Sequence, residues 1–462
     1  MPIRRNWKLA STSFLIVSLG YSVPAAWAQV TPPHAAAPTT VAAPADPLDV
    51  AFAEMMVRPG DPAAAVRYAR LAAERGDARA AIAALERVLR IDPSLDNIRL
   101  ELASLHLASG SPDLAAVYAR QALQSPQIPP DVEQRARLLL AQAERASARS
   151  TLELSLFAGA RYDSNANQAT TLATVPVFIP ILQDVVNVTT PIRGQSDWSL
   201  VLGGRLQHRV DLGLQREGTW ETNAVGFEQR FARIARAYDL TLLSADTGPR
   251  IGVADFADGT ARLSLRPFVT ASWLAYGWRT YAWLYGSGLT AELLLPKGWT
   301  TELTWLGRFG NYENTDFRPR ARDFTGFESS VIAAVNYAAD ANTRLGAALT
   351  YFDADAREPW WQREGLGVLL SASTVLRPAA GWELGVAARG GVRRIRYDAP
   401  DPFIDPDRSR RDTRWEAGAS LVLPLTQAVA LVAEYEWFDQ DSNYAFYRYD
   451  NHAVTLGLRI SL

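Results

Sequence analysis

The C-terminal two-thirds of the chain alternates between apolar and polar positions. Val454, Leu456, Leu458, Ile460 and Leu462 are separated by Thr455, Gly457, Arg459 and Ser461. Trp415, Ala417, Ala419, Leu421 and Leu423 alternate with Arg414, Glu416, Gly418 and Ser420, and Trp382, Leu384, Val386 and Ala388 with Glu383, Gly385, Ala387 and Arg389. Successive side chains of a strand point to opposite faces, so each segment has one apolar face and one carrying charge and glycine. A soluble sandwich alternates in the same way, and the connections decide between the two. Fourteen strands are predicted, at 151–161, 196–210, 216–230, 235–253, 261–276, 279–296, 298–312, 324–338, 342–356, 363–376, 381–396, 412–425, 428–442 and 451–462. Many exceed the usual soluble strand of about 5–6 residues and suit tilted membrane strands of about 9–11 residues in hydrocarbon. Connections on one side are tight: "PKG" at 296–298, "AADAN" at 338–342, "RPAAG" at 377–381 and "PLTQ" at 424–427. On the other side they are long and polar, at 162–195, 313–323, 397–411 and 439–450. Short turns on one rim and long loops on the other are the pattern of an outer-membrane barrel. An even strand number returns both ends of the barrel to the short-turn, periplasmic side. Trp299 and Trp382 follow tight turns while Trp278, Trp360, Trp361 and Trp437 lie by the opposite rim, a pair of aromatic girdles.

Residues 48–150 follow a helical period instead, rich in Ala, Leu and Arg, and they repeat. "ERGDARAAIAALERVLRIDP" and "ASGSPDLAAVYARQALQSP" carry Gly76 and Gly110 at a spacing of 34 residues, the tetratricopeptide period. Ala81 and Leu85 in one unit, and Ala115 and Ala119 in the next, fall where two helices pack closely. A further helix, 131–148, caps the stack. By repeat phase, Arg70, Glu74, Asn97 and Ser104 line a concave groove that takes an extended client segment; the alternative is that they are ordinary solvated positions. The expected fold is therefore a tetratricopeptide-like helical domain, periplasmic, followed by a 14-stranded antiparallel β-barrel at 151–462.

The N-terminus reads as an export signal over residues 1–28: Arg4, Arg5 and Lys8, a short apolar run from Phe14 to Leu19, then Ala26-Trp27-Ala28. The run is too short to span a bilayer as a helix, and no cysteine near the cleavage site marks a lipoprotein. Residues 29–47, Pro/Ala-rich, read as an extended linker. With no cysteine in the chain there are no disulfides and no thiolate metal sites. The four histidines, His34, His106, His208 and His452, are scattered. A net charge of −2 gives no reason to expect a nucleic-acid partner. No G-x-S-x-G, phosphate-cradling or zinc motif is present, and neither His208 nor His452 has a readable Ser/Asp constellation, so the chain is expected to be neither an enzyme nor a cofactor or metal protein.

Three features of the barrel half carry candidate function. "RYDSNANQAT", 161–170, sets Asp163, Asn165 and Asn167 at alternate positions, as calcium loops do. An EF-hand loop requires Gly at its sixth position and Glu at its twelfth; here those are Gln168 and Thr174, and the stretch reads as a structured rim turn rich in turn-capping residues. The first long loop carries "VPVFIPILQDVV", 175–186, apolar where external loops are normally polar; it either folds inward as a plug or client contact, or packs against neighbouring loops. By alternation Arg205, Glu302, Glu328, Arg344, Glu383, Arg389, Glu416 and Arg459 face the lumen, where they either keep a passage wet or pair with one another in a filled interior.

An export signal, a short repeat domain and a fourteen-strand barrel make a specific combination, and the chain resembles the surface lipoprotein assembly modifiers (Slam proteins) of Gram-negative bacteria. The stretch "LELSLFAGARYDSNANQAT" that opens the barrel is similar to the family's Asp-x-Asn-x-Asn stretch, and "GPRIGV" at 248–253 and "RPFVTASW" at 266–273 also resemble family segments. "TLGLRISL" resembles the closing signal of outer-membrane barrels, departing from it in ending on Leu462 rather than an aromatic. The resemblance implies a protein that moves client surface lipoproteins, often metal- or haem-acquisition proteins, or small secreted proteins across the outer membrane. It also implies that the repeats engage client or periplasmic chaperones and that a single barrel, set in outer-membrane lipid, is the passage. A polysaccharide exporter, which also joins repeats to a barrel, and a plain solute porin are the rival readings.

Overall fold

The computed structural model describes residues 46–125, 128–179, 184–190, 193–214, 218–256, 261–379 and 382–462. The export signal and all but the end of the expected linker lie outside them. The described chain divides at about residue 151 into two compact units, one of helices and one of strands.

Six helices form the first unit: α1 (Pro47–Val57), α2 (Pro62–Glu74), α3 (Ala78–Ile91), α4 (Asp96–Ala108), α5 (Pro112–Leu123) and α6 (Pro130–Ala146). Helix α2 starts 34 residues before α4 and α4 34 before α6; α3 and α5 keep the same interval. The starts are written locally. Asp46 and Asp61 accept a hydrogen bond from the backbone two residues on, at 3.0 and 2.9 Å, each followed by a proline whose missing N–H costs nothing there. The expected linker thus ends early, because Asp46 and Pro47 already belong to the start of α1. Gly76 and Gly110 both take positive φ, +84° and +77°, ending α2 and α4. The N–H three residues past each helix then reaches back, Asp77 to Ala72 O at 2.9 Å and Ser111 to His106 O at 2.8 Å. This glycine turn is why the repeat is legible in the sequence. Between the helices lie Ala64, Ala65, Ala69, Ala72, Ala81 and Ala84 with Leu85, Val88 and Leu102, all buried; small side chains let the helix axes approach.

The second unit is a closed antiparallel barrel of fourteen strands: β1 (Ser150–Asp163), β4 (Asp197–Asp211), β5 (Gly218–Phe231), β6 (Leu240–Phe256), β7 (Ala261–Tyr276), β8 (Arg279–Leu294), β9 (Trp299–Tyr312), β10 (Gly326–Ala338), β11 (Arg344–Ala354), β12 (Arg363–Leu376), β13 (Leu384–Pro400), β14 (Ser409–Pro424), β15 (Val429–Ser442) and β16 (Tyr449–Ser461). Two further strands, β2 (Thr174–Ile179) and β3 (Asp184–Thr189), make a separate hairpin in the first long loop. Neighbours in sequence pair around the wall, and β16 closes on β1 with Gly457 opposite Gly159. Strand β16 shows the two faces. Asn451, Ala453, Thr455 and Arg459 are buried toward the interior, while Val454, Leu456, Leu458 and Ile460 are exposed on the outside. Both ends of the barrel meet at the short-turn rim, where Leu154 and Leu462 exchange backbone hydrogen bonds at 3.2 and 2.8 Å. Trp299 stacks on Tyr337 at that rim, ring centroids 4.5 Å apart, and Trp198 meets Tyr162 at the other, 5.3 Å apart. Trp360 and Trp361 depart from the expected girdle: they sit in a loop between β11 and β12, where Trp361 packs on Phe324 and Tyr397. Consecutive tryptophans in a loop are held by whatever other loops bring to them, which the local sequence does not state. Among the described residues no helix is long and apolar enough to cross a membrane.

Candidate functional site: lumen, rim clasp and helical groove

Alternation sets the interior of the barrel, and the interior is ionic. On β1 and β15, Arg161 holds Asp163 at 2.9 Å and Glu436 at 2.6 Å, and Arg389 of β13 also pairs with Glu436. Across β5 to β8, Arg250 lies 3.0 Å from Glu221 and 3.2 Å from Glu292, and Arg266 pairs with Glu221 at 3.3 Å and with Asp246. Glu292 of β8 stands opposite Glu302 of β9, whose carboxylate accepts from Thr304 at 3.0 Å. Arg308 and Glu328 bridge β9 and β10 at 2.8 Å. Near the long-loop rim Arg410 pairs with Asp412 at 2.6 Å and lies 3.3 Å from the centre of the Tyr447 ring. Charges taken from water survive only when paired, and these are shared among neighbouring strands.

Of the residues assigned to the lumen from sequence, Arg205, Glu302, Glu328, Arg344, Arg389, Glu416 and Arg459 lie on the inner-face register of their strands. Glu383 precedes β13 and pairs with Arg377 at 3.1 Å at the short-turn rim. The ionic groups use mainly other residues: Arg161, Glu221, Arg250, Arg266, Glu292 and Glu436. Each shares the inner-face phase of its strand with apolar residues, as Arg266 does with Leu274 and Glu292 with Leu284, so alternation alone does not single them out.

The Asp-x-Asn-x-Asn stretch forms a buried clasp. Asp163, Asn165 and Asn167 are 3%, 4% and 9% exposed. Asp163 accepts from Asn451 Nδ2 at 2.7 Å, joining β1 to the closing strand β16. Asn165 donates its backbone N–H to Asn451 Oδ1 at 2.9 Å, and its Nδ2 to the carbonyls of Ala169 and Asp450 at 2.9 and 3.1 Å. Its Oδ1 accepts from the Ala169 N–H at 3.2 Å. Asn167 reaches the far end of the same loop, donating to Arg193 O at 2.9 Å and accepting from Gln195 N at 2.8 Å. A side chain on Gly194 would meet the Asn165 amide at 2.9 Å, so only glycine lets the two loop ends close. The three residues thus tie the seam of the barrel to both ends of its first loop. Among the described residues no group of three or more His, Asp or Glu converges as a metal site.

The apolar stretch 175–186, described except for 180–183, forms the β2–β3 hairpin; Val175 is fully buried. Phe178 N–H donates to Ile404 O at 3.0 Å, so the hairpin rests on the loop between β13 and β14. That is the packing alternative, realised at one backbone bond.

In the helical unit, Arg70 and Glu74 line a cleft of about 340 Å³ with Val66, Ala73, Glu101 and Leu105. Asn97 is exposed and Ser104 half-buried, and neither lines it. Glu101 is held by Arg135 at 2.8 Å. Below, His106 stacks on Tyr118 with ring centroids 5.4 Å apart, and Tyr118 donates to Glu86 at 3.1 Å. Burial lowers the His106 pKa, with Glu86 opposing, and burial and Glu86 together raise that of Tyr118.

Compared with known proteins, residues 245–460 match the model of the surface lipoprotein assembly modifier family. No curated protein matches the chain in sequence. Solved structures similar in fold include a bacterial polysaccharide outer membrane secretin (12% identity, 68% of this chain and 100% of that one, TM-score 0.32). Others are OprB of Pseudomonas putida (9%, 70% and 96%, 0.34) and the outer membrane channel DcaP of Acinetobacter baumannii (10%, 68% and 97%, 0.34). These likenesses are too distant to carry an argument about activity.

Proposed function

We propose that this chain, which matches the surface lipoprotein assembly modifier family over residues 245–460 and is an outer-membrane barrel by its fold, translocates particular client proteins to the cell surface. The family domain is the observation that carries the reading. It covers β7 to β15 whole, with most of β6 and β16, and so most of the wall through which a client would pass. The clients are surface lipoproteins or small secreted proteins. Both barrel ends lie at the short-turn rim, which supports a periplasmic helical unit. There its cleft, with an apolar floor between Arg70 and Glu74, suits an extended segment of client or chaperone. The inner-wall charges pair with one another, as a filled interior would have them, so passage requires that interior to open. The test is a clean deletion followed by surface and secretome proteomics, with complementation. Loss of one or two specific proteins is the expected result. Loss of exopolysaccharide alone, or an unchanged surface, sinks the reading.

A further inference from the structure

We propose that the loop between β9 and β10, residues 313–325, is an internal plug held shut by Arg318. It is a different segment from the apolar β2–β3 hairpin, and it turns into the barrel. Ala321 is 2% exposed and, with Phe324, packs on Leu242, Leu274, Leu284 and Tyr312, which lie on the inner face of β6 to β9. The Tyr312 N–H donates to Thr325 Oγ1 at 3.1 Å, anchoring the loop's end to the wall.

The tip is preformed. Thr315 and Arg318 exchange backbone hydrogen bonds at 3.1 and 3.0 Å, and Asn314 Oδ1 accepts from Arg322 N at 2.8 Å. From this turn the Arg318 guanidinium lies 3.6 Å from the centre of the Tyr276 ring and 5.6 Å from that of Tyr281. Its Nη1 donates to Ala237 O at 2.9 Å, in the connection between β5 and β6. Tyr281 meets Tyr276 and Tyr312 edge-on, at 5.1 and 5.3 Å, so the rings form a fixed socket.

The chemistry of the socket distinguishes a latch from a permanent strut. Arg161 is pinned by two carboxylates, and pulling it away strands both in a buried site. Arg318 has no carboxylate partner among the described residues; it is held by ring faces and one carbonyl. A guanidinium over an aromatic face is well held when dry, and every group it leaves behind accepts water without an unpaired charge. The contact is therefore closed at rest and inexpensive to open, as a passage for large cargo requires.

The proposal rests on the barrel being a passage, and its test reads ion current, so it can fail without touching the client reading. The purified full chain is placed in planar bilayers, with barrel folding checked by gel mobility of unheated samples. Arg318→Ala shifts the closed-to-open equilibrium by roughly tenfold; Arg318→Lys, which keeps the charge but not the planar fork, falls between it and the parent. Replacing residues 314–322 with a short Gly/Ser link gives the largest, steadiest current. A folded Arg318→Ala barrel that conducts like the parent overturns the proposal. So does a loop replacement that conducts like the parent, which also covers the case in which the point variant fails to fold.

Discussion

Asn165 offers the sharpest test of how the rim is held. Its side chain makes three hydrogen bonds in a site 4% exposed: two donated, to Ala169 O at 2.9 Å and Asp450 O at 3.1 Å, and one accepted, from Ala169 N at 3.2 Å. At about 1 kcal/mol for each lost bond, Asn165→Ala costs about 3 kcal/mol. At about 2 °C per kcal/mol for a large domain, the midpoint of barrel unfolding falls by roughly 6 °C. The informative partner is Asn165→Asp. It keeps the size, but it replaces two donated bonds with a carboxylate facing two carbonyl oxygens, so it is at least as damaging as alanine. Were the stretch a cation loop, the same change would add a ligand, and calcium would restore or raise stability. The assay is the loss of the fast-migrating folded band on heating, run for parent and both variants with millimolar calcium or with chelator. An Asn165→Asp protein as stable as the parent, or stabilised by calcium, would refute the clasp.

Further outcomes follow from the seam and from the helices. Gly457→Ala places a methyl group against the Ala158 carbonyl oxygen and 2.6 Å from the Phe157 ring, at the junction of β16 with β1. Its folded fraction after refolding drops sharply, whereas Gly390→Ala, whose methyl meets nothing nearer than Glu416 O at 3.8 Å, refolds like the parent. In the helical unit, His106 is 7% exposed and burial lowers its pKa below the unfolded value. The unfolded chain therefore binds the proton first, and stability, full above about pH 6.5, declines as pH falls through the unfolded toward the folded pKa. Helical melting followed by circular dichroism at pH 7.5 and 5.5 shows this loss in the parent and a smaller one in His106→Phe. Equal losses would exclude His106 as the source.

Periodicity was enough to determine the elements. The expected strands 261–276 and 363–376 match β7 and β12 end to end, and the 34-residue spacing of Gly76 and Gly110 located the helical turns, because both signals are properties of neighbouring residues. The alternation also set which residues of β16 face inward, since a strand has only two faces. Partners were another matter. Nothing near Asp163 in sequence indicates Asn451, which meets it only because the fourteenth strand returns to the first. Likewise "NTDFRPRARDF" reads as a polar surface loop, and the plug reading was given instead to the apolar 175–186, beside packing on neighbouring loops. Arg318 enters the barrel because the pairing of β7, β8 and β9 sets Tyr276, Tyr281 and Tyr312 side by side. Which segments are strands is a local question that hydrophobic period answers. Which charge finds which partner depends on residues brought together by strand pairing around the wall and by its closure, and that was decided only in the tertiary structure.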